Sequence, residues 1–260
     1  MTQAELVAVE AWFERYSAGF RGPDGTLPPM LALKLAHSQR VAENARVISA
    51  ILDLDGDEQR LAEGAGLLHD VGRFPQFARF GSFQDAVTVD HGAEGRLVLE
   101  TEGPASLLAA GDWERLLYAV NWHNRKHSDL PAGDSPQKTA LLCLIRDADK
   151  LDVMEVVLTA VAADGFQDLP AMLPSIRLDR GVSPGIVEAV LATGSASMDA
   201  IATLADFLVL VASWFYDLNY EPTRQLADER DVLGRIRREL PETDELKRLF
   251  TDIEKTATLL

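Results

Sequence analysis

Apolar residues recur at three- and four-residue intervals through most of this chain, and the polar–apolar alternation that builds a half-buried strand is almost absent. That regularity predicts an all-α fold. A first amphipathic helix is expected over residues 6–18. The loop chemistry of Arg21-Gly22-Pro23-Asp24-Gly25 separates it from a second, which begins at Pro28-Pro29 and runs to about residue 52. In that helix Leu33, Val41, Val47, Ile48 and Ile51 face a core, while Arg40, Glu43 and Arg46 lie on the other side. A third helix from about residue 57 delivers His69-Asp70 at its C-terminal end, just before Gly72, which reads as a C-terminal glycine cap.

Residues 73–90 hold Phe74, Pro75, Phe77, Phe80 and Phe83 without a clean period, and are expected as an ordered loop or short helical turns with their rings in the core. His91 opens a helix, and Asp112 is expected to N-cap another that ends near His123. A long helix should cover about 137–162, followed by a segment punctuated by Pro170 and Pro174. Ser183-Pro184 reads as the N-cap and N1 proline of a further helix, with two or three more after it. No repeat, low-complexity tract or linker intervenes. Residues 169–260 are therefore expected as an α-helical extension packed on residues 1–168, the two forming one structural unit.

Charge narrows the partners. At a net charge of −16 the chain has no broad footprint for a nucleic-acid backbone, which needs clustered Lys and Arg. A small anionic molecule is the expected substrate. Cys143 is the only cysteine and lies in the apolar run Ala140-Leu141-Leu142-Cys143-Leu144-Ile145, so it is expected as a buried small hydrophobe. The start Met1-Thr2-Gln3-Ala4-Glu5 has neither a positive nor an apolar leader region. No stretch approaches the roughly 18 apolar residues of a membrane span. A cytoplasmic protein with no membrane partner follows as the expectation.

All five histidines lie between His37 and His127, and four of them fall with two aspartates in the order His37, His69-Asp70, His91, His123, Asp149. Neutral imidazoles bind divalent first-row metals well, and a carboxylate can bridge two cations while reducing the charge of the site. Six such ligands suffice for two ions with coordination positions left open. Asp147 competes with Asp149, whereas Asp152, one helical turn beyond, reads as a structural carboxylate.

The run Gly66-Leu67-Leu68-His69-Asp70-Val71-Gly72-Arg73 resembles the defining motif of the HD-domain metal-dependent phosphohydrolase superfamily, with the likeness extending over about residues 35–152. The resemblance implies a helical bundle carrying a four-ligand core of His37, His69, Asp70 and Asp149, the last in Ala148-Asp149-Lys150-Leu151. His91 in His91-Gly92-Ala93-Glu94-Gly95 and His123 in Trp122-His123-Asn124 match the added ligands of the binuclear branch. The implied cofactors are two divalent or mixed-valent transition metals, Fe or Mn foremost, with Zn, Co and Ni also accommodated. By this carry-over His37, His69 and Asp149 hold one ion and His91 and His123 the other, while Asp70 bridges them as the catalytic carboxylate.

The implied reaction is hydrolysis of a small phosphate ester or nucleotide by a hydroxide between the ions. Arg73, where a lysine is common in the family, is expected to hold an anionic group, with Lys126, His127 and Lys150 as further substrate-binding candidates. His123 is followed by Asn124-Arg125-Lys126-His127 rather than by the Gly-Tyr-Pro signature of cyclic-dinucleotide phosphodiesterases, so that specificity is not expected. Two other readings stay open at this point. The same six ligands serve a mixed-valent di-iron oxygenase of the HD-domain type, and a sensor or binding protein could carry structural metals.

Overall fold

The computed structural model describes residues 1–125, 129–131, 133, 135–163 and 176–257. They form helices joined by short connections, and among them there is no β-strand beyond an isolated parallel bridge between Arg177 and Thr203. The chain divides into two compact units, Met1–Asp152 and Val153–Leu260. The boundary expected at residue 168, with Pro170 and Pro174, lies outside the described residues.

In the first unit, α1 (Gln3–Ala18) starts on a capping box: Thr2 Oγ accepts from the Glu5 amide while the Glu5 carboxylate accepts from the Thr2 amide. Helix α2 (Pro29–Ile51) opens on proline, whose missing N–H costs nothing in a first turn. Helix α3 (Gly56–Leu68) is capped by Asp55, which accepts from the Asp57 and Glu58 amides. The aromatic segment contains a two-turn helix, α4 (Arg73–Phe80), ended by Gly81 at φ 63°, and then a 3-10 turn at Asp85–Val87. Helix α5 (His91–Glu102) is capped by Asp90. Helix α6 (Ala110–Trp122) begins two residues before Asp112, so Asp112 is not its cap. It sits in the first turn, where its charge still complements the helix dipole. Helix α7 (Pro136–Ala162) runs on past the end of the unit.

Helix α2 lies along α3, α5 packs on α6, and α1 and α6 both rest on α3. Leu31, Ile48, Leu61, Leu68, Leu99, Leu116, Leu142, Ile145 and Leu151 from these helices and α7 are inaccessible to solvent. Each such side chain contributes roughly 1.5–3 kcal/mol on burial. Phe74 is likewise fully buried, with the rings of Phe13 and Phe20 at 5.8 and 5.5 Å. Phe80 departs from the expectation of a core ring. Six residues on from Phe74, it falls about 120° around α4 and is 47% exposed. Cys143 is half-buried.

Two glycines set the spacing of the elements that matter below. A Cβ on Gly66 would stand 3.1 Å from Ala42 Cα and 3.1 Å from the Val41 carbonyl, so this residue lets α3 approach α2. At Gly72 a Cβ would meet the His91 carbonyl at 2.2 Å and the Gly95 amide nitrogen at 2.5 Å. Gly72 has φ −67°, so it is not the left-handed cap expected from sequence. It is required because the backbone after His69-Asp70 touches the first turn of α5.

The second unit holds α8 (Ile186–Thr193), α9 (Leu204–Ser213), α10 (Glu221–Glu229), α11 (Val232–Glu239) and α12 (Asp244–Ala257). Every residue of α9 is buried, and α8 and α11 pack against it. Ser183-Pro184 does not start α8, because Gly185 at φ 84° stands between them. Instead the Ser183 amide and hydroxyl each donate to Asp206 at 2.7 Å, tying that loop to the first turn of α9. On α11, Arg235, Arg237 and Arg238 pair with Glu155, Glu254 and Asp231. Among the described residues no helix is long and apolar enough to cross a membrane.

Candidate metal centre

Four histidines reach one place from four helices, mostly from their ends. His37 lies inside α2, His69 directly follows α3, His91 is the first residue of α5, and His123 directly follows α6. In each ring Nδ1 is already engaged. His69 Nδ1 lies 2.7 Å from the Gly66 carbonyl and His123 Nδ1 lies 2.8 Å from the Val120 carbonyl, each three residues back along its own helix. His37 Nδ1 lies 2.6 Å from Asp152 Oδ2, and Arg40 Nε donates to the other oxygen of Asp152 at 2.6 Å. His91 Nδ1 lies 2.5 Å from Asp85 Oδ2. Carbonyls and carboxylates only accept, so Nδ1 carries a proton in all four rings, and in a neutral ring Nε2 presents its lone pair.

Those four Nε2 atoms surround the Asp70 carboxylate. Its Oδ2 is 3.6 Å from the Nε2 of both His37 and His69. Its Oδ1 is 3.5 Å from His91 Nε2 and 3.6 Å from His123 Nε2. One oxygen thus faces each pair. Asp149 on α7 adds Oδ1 at 3.1 Å from His37 Nε2 and 3.7 Å from His69 Nε2. Within this arrangement the donor atoms of His37, His69 and Asp149 lie within 4.8 Å of one another, as do those of His69, Asp70 and His123.

The chemistry of these donors fits a divalent cation. His37 Nε2 and His69 Nε2 are buried with no hydrogen-bond partner, a state that costs about 1–3 kcal/mol per group unless something else takes the lone pair. Burial pushes His69 down to about 4, and burial together with Arg73 does the same for His91. His37 moves the other way. Burial and Lys34 push it down, but the carboxylates of Asp149 and Asp152 outweigh them and raise it above 6.5. Burial would raise Asp70, yet Lys34, His69, His123 and Arg73 hold it well below the usual carboxylate range. Asp149 is held down in the same way by His37 and His69. At neutral pH the carboxylates are charged and His69 and His91 are neutral, which is the state in which such groups bind a metal ion.

Other residues read from the sequence take different places. Arg73 is no free cation: its Nη1 donates to Gln76 Oε1 at 2.9 Å, the Phe83 carbonyl at 2.6 Å and Asp85 Oδ1 at 2.9 Å. Its Nε, buried and without a hydrogen-bond partner, is 3.5 Å from Asp70 Oδ1. Lys150 is half-buried beside Asp149 on α7. Lys126 and His127 lie outside the described residues. Asp147, fully buried, belongs to neither donor group, being about 200° around α7 from Asp149.

Three participants were not read as such from the sequence. Lys34 donates to Asp70 Oδ2 at 2.7 Å. It lies three residues before His37 on α2, so helical spacing already placed it on the same face. Asp152, expected to be merely structural, braces His37. Asp85 braces His91 and is itself held by Arg73, Gln76 and, at 3.3 Å, Asn124. It comes from a segment with no period, and no sequence signal singles it out.

Residues 35–154, which include all six clustered residues, match the family model described as HD domain. No curated protein and no solved structure matches the chain.

Proposed function

Residues 35–154 belong to the HD-domain metal-dependent phosphohydrolase superfamily, and from that premise we propose that this protein hydrolyses a small phosphate ester or nucleotide. His37, His69, Asp70, His91, His123 and Asp149 are its metal ligands in this reading. The observation that carries it is the division of Asp70, one oxygen toward each pair of Nε2 atoms. Two divalent ions bound there would supply Lewis acidity toward a phosphoryl oxygen and an activated water.

The chain's own groups then have distinct tasks. The imidazoles, each fixed through Nδ1, aim Nε2 at the site, and Asp70 joins the two halves. Asp149 is the most accessible of the six, its side chain 27% exposed against 6% or less for the other five. Substrate approaches from that side, where Lys150 meets the phosphate, with Lys126 and His127 as further contacts in the chain. Arg73 supports the substrate anion at one remove. Its guanidinium is committed to Asp85 and the Phe83 carbonyl, and its charge is felt at Asp70.

The test is metal content, electron paramagnetic resonance and turnover on protein purified with and without oxygen. Nitrophenyl phosphate mono- and diesters should be hydrolysed in a metal-dependent manner. Asp70→Ala should lower that turnover by more than about 100-fold, beyond the loss typical for an outer-sphere partner, with the helical fold retained. Two bound metals without hydrolysis of any ester, or a mixed-valent di-iron signal that substrate perturbs, would overturn the reading in favour of oxygenase chemistry.

A further inference from the structure

We propose that Lys34 is the positioning residue that sets the rotation of the Asp70 carboxylate, and so decides whether both halves of the site can share it. The inference rests on the binuclear reading above and adds to it a residue from α2 that the ligand pattern does not contain. Nζ of Lys34 is 2.7 Å from Asp70 Oδ2, with the two side chains 9% and 4% exposed. It is the nearest polar side-chain group to that carboxylate, the next standing 3.5 Å away. The other cation close to Asp70, Arg73, has its Nε 3.5 Å from Oδ1, which is charge at a distance and no hydrogen bond.

The terminal torsion of an aspartate is broad and weakly preferred, so the carboxylate plane takes whatever orientation its partners impose. Here one charge-assisted bond, in a place largely closed to water, imposes it. Anchoring Oδ2 leaves Oδ1 aimed between His91 and His123 while Oδ2 stays between His37 and His69. A quarter turn would move both oxygens out of line with their pairs. Lys34 is suited to the task because it shares the helical face of His37, one turn before it, so the same helix fixes one imidazole and the carboxylate opposite. Its Nζ lies over the Phe83 ring, 5.7 Å from the centroid.

The experiment loads purified protein with Mn²⁺, counts bound ions by equilibrium dialysis and records the paramagnetic resonance spectrum. Wild type should bind two ions with a spin-coupled signal. Lys34→Met should keep the first ion, bind the second at least about 10-fold more weakly and lose the coupled signal. Lys34→Gln, which keeps a donor without the charge, should restore part of the coupling. A coupled signal and unchanged affinities in Lys34→Met would overturn the proposal. If Lys34→Met fails to fold, Lys34→Gln is read alone: intact coupling with unchanged affinities overturns the proposal, and weakened second-ion binding supports it. A second arm uses metal-free protein: Asp70→Asn should cost less stability in a Lys34→Met background than in wild type, and equal costs overturn the pairing. Should wild type bind fewer than two ions, the binuclear reading falls, while this second arm still decides Lys34.

Discussion

The two halves of the candidate site use their imidazoles alike and brace them differently. His37 is braced by Asp152, a helix-borne carboxylate with a side chain 3% exposed. His91 is braced by Asp85, which comes from a 3-10 turn and is 31% exposed. The first brace has Arg40 as its further partner, whereas the second stands in a polar net of Arg73, Gln76 and Asn124. Water competes for the second net far more than for the first. The two braced rings also differ in protonation: the carboxylates around His37 raise it, while burial and Arg73 hold His91 down at about 4. Identical imidazole chemistry thus rests on a helix interior on one side and on a loop on the other.

Acid should expose the difference most strongly. His69 and His91 accept protons near 6.5 when unfolded and near 4 when folded, so the unfolded chain binds more protons between those values. Metal-free protein should therefore lose stability as pH falls from 6.5 toward 4, by roughly 3 kcal/mol for each of the two groups. His37, raised in the folded state, contributes in the opposite sense: its stabilisation is present below 6.5 and is lost as pH rises through its folded value. In urea titrations His91→Gln should flatten the loss between 6.5 and 4, whereas His37→Gln should leave that limb in place and remove the loss of stability as pH rises above 6.5. Equal slopes for the two variants would break the contrast.

Metal uptake separates the braces at the next scale. Asp152→Asn should weaken the ion held with His37 and Asp85→Asn the ion held with His91, each by about 10–100-fold, visible as separate steps in a calorimetric titration. Both substitutions acting on one step would show that the halves do not load independently. The smallest effect belongs to Arg40→Ala. Its side chain is 47% exposed, and exposed pairs are worth little, so affinity for the first ion should change by no more than about fivefold. A loss beyond tenfold would make Arg40 part of the site and not just a support for Asp152.

How far the sequence could be read follows the same line. Helices α2 and α7 were legible almost to the residue, because prolines and apolar periodicity are local signals, and the six clustered residues were legible as an ordered set. What escaped depends on contacts between distant segments. Asp85 braces His91 only because the turn that carries it folds against α5. Arg73 reads as an available cation until the Phe83 carbonyl and Asp85 are placed around it. Asp112 and Ser183 have the right chemistry for caps and sit near helix starts. The backbone begins α6 earlier than Asp112, and Gly185 begins α8 after Ser183 has turned toward Asp206.

The contact at Gly72 bears on how the separation of the two histidine pairs is gauged. Main chain meets main chain there, with the His91 carbonyl and the Gly95 amide occupying the space a side chain would need. The interval from His69-Asp70 to His91 is therefore ruled by peptide groups, whose dimensions do not vary with sequence. Within the segment between them the exposed Phe80 can change without moving that ruler, while Phe74 stays fixed by the core it fills.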